Sequence, residues 1–160
     1  MKVPSRKSLV LSFAAATLVV GAFVVAPRVV SGAADEPAPK PIAELKDVMW
    51  TFNEGETSVV GRLRAGFAVS SCDDEGWAAL KGRASMTMEA ANMLLGMKPP
   101  LGADDAAGLA KWKAHVAAYR DAAEEARAAA LKKDLAAGKA AIVLLTKRCT
   151  ECHKDHRKEE

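Results

Sequence analysis

From Ile42 to the C-terminus, apolar residues recur at intervals of 3 and 4, a rhythm that confines the chain to amphipathic helices. Ile42, Leu45, Met49 and Phe52 make a first stripe, which Asn53-Glu54-Gly55 weakens before Val59, Leu63 and Phe67 resume it. Trp77, Leu80, Ala84, Thr87, Ala91 and Leu94 mark the next helix, with Asp73 or Asp74 placed to cap it and Pro99-Pro100-Leu101-Gly102 to end it. A third stripe runs Leu109, Trp112, Val116, Tyr119, Ala123, Ala126, Ala130, and a last one Leu135, Gly138, Ile142, Leu145, Cys149, Cys152. No stretch alternates as a strand would. Helices with short connections pack antiparallel at about 20°, so the pattern predicts an all-α fold, an antiparallel four-helix bundle.

The inner faces of the third and last helices are rich in alanine, with one glycine at position 138. Alanine is the strongest helix former, which is one explanation. The other is that small side chains leave room between helices for a flat ligand. Composition serves both.

The last helix ends in Lys147-Arg148-Cys149-Thr150-Glu151-Cys152-His153-Lys154-Asp155-His156-Arg157. Cys149-x-x-Cys152-His153 is the spacing of c-type haem attachment. Thiols three residues apart share a helix face, so both can bond the two vinyl groups of one porphyrin while His153 ligates iron. A structural zinc site needs four ligands, and a second Cys pair is lacking. A thioredoxin-like CxxC belongs beside a βαβ pattern, and a plain disulfide leaves His153 unexplained. The motif therefore predicts one covalent haem c.

The opposite end agrees. A basic segment, Met1–Lys7, precedes an uncharged run from Ser8 to Pro27 and the small residues Val30-Ser31-Gly32-Ala33-Ala34. That is the order of a secretory signal, so residues 1–33 read as a signal peptide or N-terminal membrane anchor. Export places the protein in the periplasm, on the side of the membrane where c-type haem is attached. Removing the four positive charges of residues 1–33 takes the formal net charge from +3 to −1, which excludes a nucleic-acid reading of the basic precursor. Residues 34–41, with Pro37, Pro39 and Pro41, read as an extended tether, and residues 42–160 as the domain.

A C-terminal CxxCH on the last helix of such a bundle resembles the class II cytochromes c, the group of cytochrome c′ and cytochrome c556. The likeness spans roughly Ile42 to Arg157. Besides the haem motif it includes Asp47-Val48-Met49, Trp77 opening a helix, and the Trp112 and Tyr119 face. The stretch from Glu54 to Gly76 is looser than the family's first hairpin. The resemblance implies His153 as one iron ligand, Met49 at the position of the other, and Arg157 beside a haem propionate. It also implies association into homodimers through the first two helices, where Val59 to Phe67 are apolar.

Function then turns on the sixth coordination position. With Met49 on iron, the protein is a carrier of single electrons between periplasmic redox partner proteins, Met/His being a pairing that raises reduction potential. With Met49 as a core gap-filler, the distal side is open and the protein binds NO or CO as cytochrome c′ does. A peroxidase or sensor would want a distal acid–base group, and the first helix offers none, so no enzyme is expected. His115 falls off the inward stripe and reads as a surface residue, His156 as exposed or near a propionate, and Met86 and Met93 as outward-facing. Cys72 is either a pairing thiol or a buried one.

Overall fold

The structure, a computed structural model, describes residues 43–157. The signal or anchor at 1–33, the tether at 34–41 and Ile42 lie outside the described residues. Among those described the fold is all-helical, with no strand.

Helix α1, Leu45–Val48, runs straight into a π-helical turn, Met49–Asn53, closed by the Glu54 N–H donating to the Met49 carbonyl at 3.0 Å. Then come α2 (Val59–Ala68), α3 (Asp74–Leu95), α4 (Ala106–Lys132) and α5 (Leu135–His156). Each of these four starts on a side chain that accepts from an otherwise unpaired N–H of the first turn: Ser58 from Gly61, Asp73 from Gly76, Asp105 from Gly108, Asp134 from Ala137. Asp73 is thus the cap of α3. Between α4 and α5 a single residue, Lys133, turns the chain with φ of 55°, a left-handed conformation that glycine usually supplies.

The four longer helices pack in a closed order, α2 on α3, α3 on α4, α4 on α5 and α5 on α2. Their predicted stripes face inward: Trp77, Leu80, Ala84, Thr87, Ala91 and Leu94 on α3, Trp112, Val116 and Tyr119 on α4, and Ile142 and Leu145 on α5 are all buried. The first stripe is shifted. Val48 is fully buried while Leu45, Met49 and Phe52 flank it half-buried.

The largest buried side chains gather where α2 meets α3 and α5. Phe67 stacks edge-on to Trp77 with centroids 6.5 Å apart, and its ring lies on Gly138, where a Cβ would overlap it. Leu63, Leu80 and Leu145 complete this dense region. The alanines of α4 at 122, 123, 126, 129 and 130 are buried, and at position 138 the space beside the glycine is taken by Phe67. Val60, Leu63 and Phe67 are likewise core residues.

Candidate functional site

The last two turns of α5 carry the Cys-x-x-Cys-His motif. Cys149 and Cys152 are free thiols, half-buried, packed against the core as their place on the inward stripe requires. Both line a partly open cavity of about 30 Å³, room for a water or two, whose other walls are Met49 and Asn53 of the π-helical turn, Leu94 of α3, and His115, Val116 and Tyr119 of α4. Arg148 closes the rim and pairs with Glu151 at 2.8 Å.

Burial pushes the Cys149 thiol up, and the Cys152 thiol to about 11, with Cys149 and Asp155 adding to the second shift. A redox or metal-binding thiol needs the reverse, a stabilised thiolate. Among the described residues no three His, Cys, Asp or Glu side chains converge as a metal cage.

His153 is half-buried one residue on, and burial, then the nearby Arg157 charge, lower its pKa against a smaller opposing effect of Glu54. Its imidazole is therefore neutral at neutral pH, with a lone pair available. Arg157 ends α5 in extended backbone, exposed, and shares a separate open groove with Lys46, Asp47, Met49, Trp50 and Glu54. Met49 alone faces both the groove and the cavity. Of the five predicted site residues, Met49, Cys149 and Cys152 thus share a cavity and Arg157 lines the groove, while His153 lines neither.

Two histidines depart from expectation. His156, read as exposed, is 3% exposed. Its ring packs edge-on against Trp112 and His115, its Nδ1 meets the Leu101 carbonyl at 3.0 Å, and its Nε2 is buried without a partner. The carbonyl can only accept, so Nδ1 carries the hydrogen. His115, read as a surface residue, lines the cavity and meets Asp155 at 2.7 Å. Asp155 also pairs with Lys111 at 2.7 Å, and these two partners hold its carboxyl below the usual range, Lys111 foremost. Met93, expected to face outward, is half-buried against the core, whereas Met86 is exposed. Cys72 is half-buried, its Sγ against Gly76 at the start of α3.

Three residues behind Met49 were not singled out from sequence as site residues. Asn53 donates from Nδ2 to the Met49 sulfur at 3.6 Å, and its Oδ1 accepts from the buried Tyr119 hydroxyl at 2.6 Å. Leu94 covers the cavity floor and accepts from Trp112 Nε1 through its carbonyl at 3.1 Å. The spacing of Met49 and Asn53, four apart, was a visible signal, since such residues are neighbours on a helix.

No protein-family model matches this chain, and comparison with curated proteins and with solved structures returned no significant match.

Proposed function

We propose that this chain is an exported monohaem c-type cytochrome that carries single electrons, with iron held by His153 and Met49. The observation that carries the reading is the meeting of Cys149, Cys152 and Met49 around one cavity, with His153 half-buried next to the second thiol. That donor set fits haem: two protonated thiols to form thioethers, a neutral imidazole and a thioether sulfur as axial ligands. An antiparallel four-helix bundle of the class II cytochrome kind belongs to the same proposal, and the closed packing order of α2 to α5 supports it.

When bound, haem supplies the one-electron ferric–ferrous couple. The chain's own residues do the rest. Cys149 and Cys152, on adjacent turns of one helix, would hold the group covalently at two points and so limit its rotation. Burial keeps His153 deprotonated for the metal. Leu94 and Val116 keep water from the cavity side. A ligand set that is unchanged between the two oxidation states keeps reorganisation small. The partners on this reading are redox proteins of the periplasm, reached as a free protein or one tethered by its N-terminal segment.

Optical spectra of the purified holoprotein, ferric and ferrous, with and without CO, test this. The expected result is a low-spin ferrous spectrum unmoved by CO and a weak far-red ferric band from sulfur-to-iron charge transfer, lost in Met49→Ala. A high-spin wild type that binds CO readily would replace the carrier with a five-coordinate protein for NO or CO. Absence of haem after expression with intact c-type maturation would overturn the reading altogether.

A further inference from the structure

The sulfur of Met49 does not stand alone. The side chain of Asn53, one turn on, reaches it with Nδ2 at 3.6 Å, within hydrogen-bond range for sulfur. A thioether offers lone pairs and no hydrogen, so the amide nitrogen must face the sulfur and the amide oxygen must face the other way. There the Tyr119 hydroxyl donates to it at 2.6 Å, from a side chain 66 positions along the chain and only 6% exposed. Tyr119 therefore fixes the Asn53 amide the right way round, and Asn53 fixes the sulfur. The π-helical turn that carries both Met49 and Asn53 is itself unusual, since such turns are rare and frequently lie at functional sites.

We propose that Tyr119 and Asn53 form a hydrogen-bonded relay that positions the Met49 sulfur and sets the reduction potential of the iron. The relay rests on the Met/His reading above. Thioether sulfur has two lone pairs, one for iron and one for the Asn53 N–H. A donor on the second pair draws electron density away from the first, weakens its donation to ferric iron, and so favours the ferrous state. Hydrogen bonds to the ligands of a haem iron are among the means by which proteins tune potential. Asn53 and Tyr119 are positioning residues here, acting through Met49.

The test is spectroelectrochemical titration of the holoprotein carrying Asn53→Leu, Asn53→Asp, Tyr119→Phe, and Asn53→Leu with Tyr119→Phe. Leu removes the donor; Asp keeps the shape but at neutral pH brings only acceptors and a negative charge; Phe keeps the ring. Either Asn53 variant suffices if the other fails to fold. Loss of the relay lowers the potential in every variant. Asp lowers it more than Leu, and Tyr119→Phe less than either. The double variant falls no further than Asn53→Leu alone, since residues in series do not add. A far-red ferric band in the wild type with potentials unchanged across the variants overturns the relay and leaves the carrier reading standing. Strictly additive falls also overturn the relay, because they make the two residues independent. A wild type without that band overturns the relay together with the ligation on which it rests.

Discussion

His153 and His156 sit one helical turn apart and face different environments, which gives them separable roles. His153 is half-buried with its pKa lowered, first by burial, whereas His156 is sealed between Trp112, His115 and the Leu101 carbonyl. Replacing His156 by Ala removes a fully packed ring and one buried hydrogen bond, at a cost of about 2–4 kcal/mol. Denaturant unfolding should show that loss while the optical spectrum of the folded holoprotein stays that of wild type. On the proposed ligation, His153→Ala should do the opposite, changing the spectrum with a smaller effect on packing. A spectral change from His156→Ala with none from His153→Ala would mean that His156, with its unpartnered Nε2, is the ligand instead. Sequence placed His153 by the motif alone; it placed His156 wrongly, because helical phase says which way a residue points and nothing about the α3–α4 loop that covers it.

At the scale of elements, the contact of α2 with α5 depends on one missing side chain. Phe67 lies against the Gly138 backbone so closely that any Cβ at 138 would overlap its ring. Gly138→Ala would normally stabilise a helix interior by about 0.5–1 kcal/mol. Here overpacking forces Phe67 or the helix to move, costing about 1–3 kcal/mol, so the net change is destabilising. Thermal unfolding of Gly138→Ala beside an exposed control, Gly82→Ala, where a Cβ meets nothing within 4 Å, checks the sign: the control should gain stability and Gly138→Ala should lose it. The inward stripe was legible at Gly138 from the 3–4 spacing. The occupant of the space was not, since Phe67 is 71 positions away and its rotamer belongs to α2.

For the whole molecule, the bulky buried side chains fall into two groups. Phe67 and Trp77 stack edge-on where α2 meets α3, with Asp74 of α3 paired to Lys133 of the α4–α5 turn. Trp112, His156 and Tyr119 are buried at the other end, beside the cavity that Leu94, Tyr119 and Cys149 line. If haem is held at Cys149 and Cys152 as proposed, the haem-free chain should be less stable, by the linkage between binding and folding. The distribution of packing adds that its loss is local. In a Cys149→Ala, Cys152→Ala variant, amide exchange should accelerate most in α1, the π-helical turn and the last two turns of α5. Protection should persist longest where α2 meets α3 and the first half of α5. Uniform exchange throughout would mean that the dense region does not hold without haem.

By itself the sequence determined the helical class, a cap for α3 at Asp73 or Asp74, the inward stripes and the Cys149-x-x-Cys152-His153 motif. Each of these is local: a period, a cap or a spacing acts over a few residues and is set by backbone geometry alone. Only the tertiary structure decided what meets across the helices. That Tyr119 backs Asn53, that His115 enters the cavity, that His156 is sealed and that Gly138 receives Phe67 all follow from the rotation and offset of one helix against another. Those are fixed by the sum of many packing contacts far apart in the chain, and no single stretch of sequence encodes them.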